Sequence, residues 1–589
     1  MWETFEIEVR AQKKYENPYM EVDVWADLKG PEFNKRIYGF WDGGNTFKIR
    51  VTATAAGAWT FVVGSNTNDP GLNGSTGELH AVAWTEVEKR ENPCRRGMVI
   101  STANGHAFMY ADRTPVYILA DTEWPLMTYR YPWYDDETSR PPTEGVGFKD
   151  VVRKRREQGY NAVAVILSYP GWQNDGHPST VFMEDGKNTT IRNAWRTPGF
   201  NAKTGKKSAK DMHNEGGKPF DFPGVVPGYE DVFPDVTRIN PKYFQYVDRK
   251  VDYLNAHGFT VFMEAVRRDA STAWKCYYPW PESYTRYVHY MFCRYQTNNC
   301  LYSPVHFDND AYSISGREYN EPANLVIEKY GAPPFGTLCG SNSNATTLAD
   351  FGHRDEAKWL TFHQIGNFAR EHDHYWYLTQ IFHLDNPVPA LNGEPYYPGD
   401  KNGNGRDRIQ VAPDCEEANL RFRSGLYGNF LSGGFAGYFY GAEGMWGGDI
   451  EPEATYKVWD ALSYPSGDQI KHINSFISGV GEGYVDLVPN SELVTPNKSG
   501  EPLGYKRWAY CAHTPDMKKL LLYFEKWCPR AAVRGLPYGG SYRLQWFDPR
   551  EGVWIDDDHV DVIPTNSRCR IDLPNFPTEN DYGMCLTME

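Results

Sequence analysis

Apolar and polar residues alternate at the start of the chain, as they do in strands that bury one face. EIEV at residues 6–9 and EVDVW at residues 21–25 show this pattern. Glycine-rich turn sequences follow at short intervals, for example WDGGN at residues 41–45. The pattern predicts an N-terminal β-sandwich over residues 1–97.

The rhythm then changes, and apolar strand-like runs alternate with helical patterns such as residues 149–158 and 243–256. Repeated βα units indicate a parallel sheet. The candidate strands are residues 116–121, 162–168, 260–265, 300–306, 359–364, 375–381, 388–394 and 434–440. Eight units over residues 98–488 predict a (β/α)8 TIM barrel, with long insertions at residues 171–240 and 307–357 above its catalytic face.

Strand patterning returns in the last hundred residues, with KLLLYF at residues 519–524 and SYRLQWF at residues 541–547. These segments predict a second β-sandwich over residues 489–589. The predicted fold class is therefore α/β, a (β/α)8 barrel flanked by two β-sandwich domains.

Composition narrows the classes of partner. Tyr, Phe and Trp make up 15% of the chain, and their flat faces suit the C–H faces of sugar rings. A net charge of −15 argues against nucleic acid, and no apolar run is long enough for a membrane span. The ten cysteines form no CxxC pair; free thiols are expected, with a Cys293–Cys300 disulfide as the alternative.

Location and oligomeric state are less constrained. The first residues already have a strand pattern and do not resemble a signal peptide. The protein is expected to be secreted or periplasmic if a signal was removed, and cytoplasmic otherwise. The sequence does not predict the oligomeric state.

Catalytic residues of a TIM barrel stand at the C-terminal ends of its strands. The acids at the predicted strand ends are Asp121, Glu123, Glu264, Asp269, Asp308, Asp310 and Glu394. Cleavage of a glycosidic bond needs two carboxyl groups, one as acid and one as nucleophile or stabilising charge. Glu394 and Asp308 are the preferred pair; Asp310 and Glu264 are the alternatives to Asp308.

Further residues near strand ends are candidates for substrate binding. Tyr396 or Tyr397 is expected to hydrogen-bond the Glu394 carboxylate, and Arg267 to keep Glu264 ionised. The substrate-binding candidates are Asp121, Trp124, Glu264, His306, His363, Gln380, Tyr397 and Tyr440.

No catalytic cofactor is expected, but one segment resembles half of a calcium loop. DKNGNG at residues 400–405 places oxygen ligands on Asp400, Asn402 and Asn404 and Gly405 at the sixth position. Val411 stands where a bidentate Glu would complete the loop. The same string also suits a plain turn, so structural calcium remains one of two alternatives.

Several of these segments together resemble the apiosidase-like glycoside hydrolases. ADTEW at residues 120–124 is similar to a first-strand GDT-x-W motif, and PALNGEPYY at residues 389–397 to a strand-seven P-x-x-x-G-E-P-x-Y motif. LSGG at residues 431–434 resembles the turn before the last strand. NPY at 17–19 and GFWDG at 39–43 resemble the N-terminal sandwich of such proteins, and WFDP at 546–549 resembles their collagen-binding-type C-terminal sandwich.

The resemblance implies a retaining glycoside hydrolase acting on a plant or algal polysaccharide or oligosaccharide, with Asp308 as acid/base and Glu394 as nucleophile. The family's W-x-x-G-G-D setting is altered, because His306 and Phe307 replace the two glycines. This change crowds the leaving-group side of the site. Two other functions remain open: an inactive carbohydrate-binding protein, and a polysaccharide lyase or metal-dependent hydrolase.

Overall fold

The computed structural model describes residues 1–168, 213–225, 234–268, 278–308, 314–367, 370–400, 410–555 and 562–589. It also describes Ser271, Trp274, Lys275 and four short strands between residues 179 and 207. Within these ranges, none of the helices combines the length and apolar character that a membrane span requires.

The N-terminal region consists of two antiparallel sheets. Its strands are β1 (Phe5–Arg10), β2 (Val24–Gly30), β3 (Phe33–Tyr38), β4 (Phe40–Gly43), β5 (Thr46–Val51), β6 (Gly57–Ser65) and β7 (Thr76–Ala81). The strand orders are β1-β5-β4 and β3-β2-β6-β7. Alternation along β1 buries Ile7 and Val9, and Ile7, Phe47 and Trp59 share one buried cluster. Two short helices, Pro18–Glu21 and Glu86–Glu91, flank these sheets.

A small antiparallel sheet follows, formed by β8 (Val99–Ser101), β9 (Phe108–Tyr110) and β10 (Pro115–Val116). Val99 and Phe108 belong to the same buried cluster as the first residue of the next strand, Ile118. The small sheet therefore covers the end of the central sheet at which its strands begin.

The central sheet has seven parallel strands in the order β20-β19-β12-β11-β23-β22-β21. Its members are β11 (Ile118–Thr122), β12 (Ala162–Ser168), β19 (Thr260–Val266), β20 (Cys300–Ser303), β21 (His363–Ile365), β22 (Ala390–Asn392) and β23 (Gly437–Tyr440). Between β12 and β19 lie three two-stranded pairs, β13 (Ser179–Phe182) with β14 (Asn188–Ile191), β15 (Phe200–Asn201) with β16 (Lys206–Lys207), and β17 (Phe220–Asp221) with β18 (Asp235–Ile239).

Helices separate the central strands, as the sequence pattern predicts for parallel βα units. They are Phe148–Glu157, Pro241–Ala256, Glu282–Tyr295, Gly316–Tyr330, Thr347–Phe351, Asp373–Phe382 and Glu416–Leu431. Both faces of the sheet are buried, which explains the continuous apolar runs in the sequence. Ala120 and Phe262 belong to an inner cluster, whereas Leu119 and Val261 pack in the cluster that includes the helices.

The two edge strands of this sheet are linked by residues 338–340. The N–H of Tyr302 in β20 donates to Leu338 O at 2.9 Å, and Gly340 N–H donates to Tyr302 O at 2.9 Å. On the other side, Thr361 N–H donates to Cys339 O at 2.8 Å, two residues before β21. This short segment thus occupies the position between β20 and β21.

One of the predicted strands is a helix. The predicted strand 375–381 lies within the helix Asp373–Phe382. Tyr375, Leu378 and Ile381 are buried at helical spacing, whereas Trp376 and Gln380 are exposed. The three-to-four-residue period outweighs the β-propensity of the aromatic residues. Residues 338–340, which the sequence pattern placed in an insertion, lie between β20 and β21 instead.

The C-terminal region is again built from antiparallel sheets. Its strands are β24 (Val488–Pro489), β25 (Val494–Thr495), β26 (Ala509–His513), β27 (Lys519–Phe524), β28 (Ala532–Arg534), β29 (Ser541–Asp548), β30 (Val553–Trp554), β31 (Val562–Pro564), β32 (Arg570–Asp572) and β33 (Tyr582–Met588). One sheet has the order β24-β26-β27-β33-β29-β30, with β31 also pairing with β29, and the other is β25-β28-β32. Leu522, Leu544 and Val533 share a buried cluster. Three short helices, Val458–Ala461, Pro465–Gln469 and His472–Ile477, precede it.

Buried ion pairs join the N-terminal region to the central helices. Asp248 Oδ2 lies 2.7 Å from Arg50 Nη2 of β5 and 2.7 Å from Arg294 Nη2, which in turn lies 2.9 Å from Asp42 Oδ1 of β4. Burial alone would raise the pKa of Asp248, but Arg294 and Arg50 lower it to about 2. At the opposite side, Arg423 Nε lies 2.8 Å from Asp581 Oδ2 of the C-terminal region.

Cys293 and Cys300 are both free and buried, so the alternative of a disulfide between them is wrong. Each lies in the core around the central helices. Burial raises the pKa of both thiols well above the ordinary value. These two cysteines therefore behave as small apolar core residues.

Candidate active site

Glu264 lies at the centre of a group of polar side chains at the C-terminal ends of the central strands. Alternation along β19 places it on the same side as Phe262, and its side chain is fully buried. Its Oε2 is 2.5 Å from His306 Nδ1, and its Oε1 accepts the backbone N–H of Asn342 at 3.1 Å. Burial raises the pKa of Glu264 well above its usual value, and the nearby Glu394 adds to this rise.

Asp308 approaches the same point from the end of β20. The chain beyond β20 continues beside β19, since His306 N–H donates to Val266 O at 2.8 Å and Arg268 N–H donates to His306 O at 3.1 Å. Asp308 Oδ1 contacts the Arg268 guanidinium and lies 3.5 Å from His306 Nε2, and Arg267 Nη2 is 3.9 Å from Asp308 Oδ2.

The imidazole of His306 lies between Glu264 and Asp308. Its pKa is well below the usual range because it is buried and because Arg267 and Arg268 are close. A neutral imidazole has one N–H donor and one acceptor nitrogen. A protonated Glu264 would donate to Nδ1 and so place the N–H on Nε2, facing Asp308.

Glu394 stands two residues beyond the end of β22. Its Oε2 accepts an N–H of the Asn342 side chain at 2.9 Å, and its Oε1 lies 3.9 Å from Arg370 Nη2. Burial raises the pKa of Glu394, and Arg370 is the largest of the opposing influences. Arg370 also pairs with Asp400, at 2.5 Å between Nη1 and Oδ2.

The two preferred carboxyl groups are close to one another. One oxygen of Asp308, one oxygen of Glu394 and one ring nitrogen of His306 all lie within 4.8 Å of each other. Asp308 and Glu394 each retain 7% of their accessible surface. The pair is therefore buried, with a small part of each residue still exposed to solvent.

Of the substrate-binding candidates, Trp124, Glu264, His306 and Tyr397 lie at or beside this group. The ring of Trp124 contacts His306 edge to face, with 4.4 Å between the centroids. Tyr397 donates its hydroxyl hydrogen bond to Thr122 Oγ1 at 3.1 Å, and the Arg370 guanidinium lies 5.2 Å from its ring centre. Within the described residues neither Tyr396 nor Tyr397 bonds to Glu394, so the expectation that one of them holds this carboxylate is wrong.

The other four candidates lie elsewhere. Asp121 Oδ2 is 2.6 Å from Arg155 Nε in a helix, and Tyr440 bonds to Ser466 Oγ at 3.0 Å. His363 bonds to Thr347 and His353, at 2.7 and 3.0 Å. Alternation along β11, β23 and β21 turns these three side chains toward the helices. Gln380 is exposed on the helix Asp373–Phe382 and ends no strand.

Three residues of the site escaped the sequence analysis: Asn342, Arg268 and Arg370. Asn342 follows the segment that links β20 to β21, in a run of small polar residues that also suits a loop. The expectation that Arg267 keeps Glu264 ionised is wrong, because Arg267 lies toward Asp308. A strand end followed by two arginines was the available signal for Arg268.

Of the three predicted calcium ligands, the structure describes Asp400. Asp400 is buried and pairs with Arg370, as described above. Asn402, Asn404, Asp269 and Asp310 lie outside the described residues. A guanidinium on Asp400 already supplies the positive charge that calcium would bring there.

Comparison with protein families assigns the chain. Residues 102–481 match the family described as apiosidase-like, catalytic domain. The chain belongs to the apiosidase-like family. Residues 1–66 of this apiosidase-like protein match a second family, a domain of unknown function called DUF5060. No curated protein matches the chain.

Solved structures of similar fold agree with this assignment. A candidate glycoside hydrolase from Bacteroides vulgatus ATCC 8482 aligns with a TM-score of 0.66 at 15% identity, over 100% of this chain and 99% of that one. A glycoside hydrolase family 5 protein from the same organism aligns with a TM-score of 0.55 at 15% identity, over 84% and 94%. The predictions of an apiosidase-like family and of a glycoside hydrolase are thereby confirmed, and the mixed α/β fold with its parallel sheet is confirmed at that coarser level.

Proposed function

We propose that this apiosidase-like protein is a retaining glycoside hydrolase in which Glu394 is the nucleophile and Asp308 the acid/base. The observation that supports a two-carboxyl mechanism is that one oxygen of Asp308 lies within 4.8 Å of one oxygen of Glu394. Retaining glycosidases hold their two carboxyl groups about 5–5.5 Å apart and inverting enzymes about 6.5–9.5 Å; the retaining outcome is proposed from the family resemblance and is tested by the configuration of the product.

Asn342 and Arg370 favour the ionised form of Glu394 that a nucleophile needs. Asn342 holds one oxygen of Glu394, which leaves the oxygen near Arg370 to attack the anomeric carbon. Asp308 protonates the glycosidic oxygen as that bond breaks and a glycosyl ester forms on Glu394. A water molecule then attacks the ester, Asp308 takes its proton, and the sugar and free carboxylate are released.

Glu264 and His306 act on this pair without reacting. Glu264 hydrogen-bonds to Asn342, which holds Glu394, and to His306, which faces Asp308. Burial raises the pKa of Glu264 and so favours its protonated form, in which it fixes the imidazole rather than competing as a second charged group. We therefore assign both residues to positioning.

The architecture we propose is a closed (β/α)8 barrel in which residues 338–340 supply the fifth stave. In such a barrel the C-terminal ends of the strands converge, which brings together the acids that follow β19, β20 and β22. The antiparallel sheets of residues 1–97 and 489–589 form the two flanking β-sandwiches, with the barrel at residues 98–488.

The proposed substrate is a plant or algal polysaccharide or oligosaccharide, and a terminal furanoside such as apiose is the first to test. His306 and Phe307 occupy the positions of the two glycines in the family motif, so the leaving-group side is narrow. No catalytic cofactor takes part in this proposal.

The test is a screen of pectic and algal oligosaccharides, read by released sugar and by proton NMR of the first product formed. We expect the product to carry the anomeric configuration of the substrate before mutarotation. An inverted first product would overturn the retaining mechanism. An unsaturated product would instead identify a lyase.

A metal-dependent hydrolase is the second candidate, because His306, Asp308 and Glu394 each offer one ligand atom at mutually close range. Arg268 on Asp308 and Arg370 near Glu394 compete with a divalent cation for these oxygens. Activity that disappears on dialysis against a chelator and returns with zinc or manganese would favour this candidate.

A further inference from the structure

A cavity of about 260 Å³ lies where the N-terminal region meets the starts of the central strands. Trp2 and Trp84 line it from the N-terminal region, and Asn255, Asn298 and Asn299 line it from the segments that enter β19 and β20. The catalytic group stands at the other ends of the same two strands. The seven residues of β19 separate the two places by about 20 Å.

Both indole rings are held in place by the protein. Trp84 donates its Nε1–H to Met1 O at 2.7 Å, and the Arg95 guanidinium lies 4.3 Å from the Trp84 ring centre. Trp2 packs on Gly97, where a Cβ atom would come within 2.5 Å of the ring. Rings that are already ordered lose little conformational entropy when a ligand stacks on them.

Polar side chains of the cavity are ordered as well. Asn298 donates from Nδ2 to Asp252 Oδ1 at 3.0 Å and to Asn255 Oδ1 at 3.1 Å. Asn299 donates from Nδ2 to Gly97 O at 2.7 Å. The cavity therefore combines fixed aromatic faces with fixed amide and carboxylate groups, rather than presenting an apolar groove.

The charged residues that line it are Glu3, Asp252 and Arg95. Arg95 lies against Trp84 and 3.9 Å from Glu91, so acidic groups predominate and disfavour an anionic ligand. An apolar ligand would remove water from the Asp252 carboxylate without replacing its hydrogen bonds. A neutral sugar meets both demands, because its C–H face stacks on indole and its hydroxyls bond to amides and carboxylates.

We propose that this cavity is a second carbohydrate site, which binds one neutral sugar residue of a glycan and takes no part in its cleavage. A site at each end of the barrel lets one glycan, or two strands of a polymer, engage the protein twice. Engagement at the cavity raises the effective concentration of the glycan around the protein. The site would anchor the protein to the glycan whether or not Asp308 and Glu394 are the catalytic residues.

The test measures binding without turnover. Saturation-transfer-difference NMR would use the full chain carrying Glu394→Gln, with methyl β-D-galactopyranoside, methyl α-L-rhamnopyranoside and methyl β-D-xylopyranoside as probes. We expect at least one probe to give a signal that Trp84→Ala reduces at least tenfold. The matched control is Trp376→Ala, a half-exposed tryptophan on the helix Asp373–Phe382, which should leave the signal unchanged.

Two outcomes would overturn the proposal: no signal from any probe, or a signal that is as strong in Trp84→Ala as in Trp376→Ala for every probe; sugar bound at the catalytic group accounts for a signal that Trp84→Ala only lowers. A second variant addresses the ligand class without removing a ring. D-Galacturonate should bind at least tenfold more weakly than the galactoside, and Asp252→Asn should narrow that difference. Equal binding of galacturonate and galactoside to the protein with Asp252 intact would contradict the assignment to neutral sugars.

Discussion

Buried acids occupy two settings around the central sheet. On its helix-facing side, Asp121 pairs with Arg155, and neither side chain has any exposed surface. On its inner side, Glu264 contacts His306 and Asn342, which reach Asp308 and Glu394. In the first setting the charge of Asp121 is matched by the charge of Arg155. The second brings three acids together; burial raises the pKa of two of them, Glu264 and Glu394, and Glu394 adds to the rise at Glu264. Burial alone therefore does not mark a catalytic acid; hydrogen-bond partners shared between acids do.

The largest effect should come from Glu394→Gln. Loss of the attacking carboxylate should reduce kcat by about four orders of magnitude with the fold intact. Released sugar and circular dichroism measure the two quantities. Asp121→Asn is the control from the other setting, and its kcat per mole of folded protein should stay within about twofold of the unaltered protein. Similar losses of kcat in both variants would abolish the distinction between the settings.

Asp308→Asn should lower kcat by about 100- to 1,000-fold, because the leaving oxygen loses its proton donor. The loss should be smaller for an aryl glycoside with an acidic leaving group, which needs no protonation. Kinetics on a good and a poor leaving group make the comparison. An equal loss on both substrates would remove Asp308 from the acid role and return Glu264 to consideration.

Asp121→Asn should destabilise the protein by about 3–5 kcal/mol, because Arg155 would remain buried without its counter-charge. Thermal and urea unfolding measure the change. Arg155→Met in the same chain should recover part of the loss, since it removes the uncompensated charge. A fall of less than about 1 kcal/mol in the free energy of unfolding would show that water or another acid pairs with Arg155 in the variant.

Glu264→Leu should lower kcat by about 10- to 100-fold and leave KM within about twofold, because both catalytic carboxyl groups lose their common support. Nitrogen NMR of the His306 ring provides a readout independent of activity. Glu264→Gln is the matched control: its amide can donate to Nδ1 much as a protonated carboxyl does, so the ring tautomer and most of the activity should persist. A change in KM with kcat preserved would make Glu264 a binding residue only.

The smallest effect concerns Asp248, which resembles Asp121 in being matched with arginines. Its pKa of about 2 lies below the value of about 3.9 in an unfolded chain. Its ionised form therefore stabilises the fold fully above about pH 5, and this stabilisation, about 2–3 kcal/mol, is lost as the pH falls toward 2. Thermal midpoints at pH 7, 4 and 3 should drop more steeply than in Asp248→Asn. Parallel slopes would contradict the assignment.

Some of this arrangement follows from sequence and some does not. The positions of Glu394 and Asp308 near strand ends were predictable, because apolar runs and motif spacing locate the ends of β22 and β20. The face on which a side chain lies was not predictable for Asp121, His363 and Tyr440. Strands buried on both sides have no polar face, so the pattern fixes their position but not the orientation of each residue.

Asn342 illustrates a second limit. Residues 338–340 are too short and too mixed in character to stand out as a strand, and only hydrogen bonds to β20 and to residues before β21 define them. The helix Asp373–Phe382 carries the β-favouring residues that the pattern matched instead. The sequence pattern therefore did not predict a strand at residues 338–340 and predicted one within the helix Asp373–Phe382. Asn342, which supports Glu394, was missed for the same reason.

The ion pairs around Asp248 limit how far the chain can be divided into modules. Arg50 and Asp42 belong to the N-terminal sheets, whereas Asp248 and Arg294 belong to the helices Pro241–Ala256 and Glu282–Tyr295, so these ion pairs cross the boundary proposed at residue 97. A shortened chain that begins after this boundary would retain Asp248 and Arg294 but lose half of the charges that neutralise them. Replacing the N-terminal region by that of a relative would succeed only if the replacement placed an arginine and an aspartate at the positions of Arg50 and Asp42. In protein engineering, these two parts should therefore be kept or exchanged together.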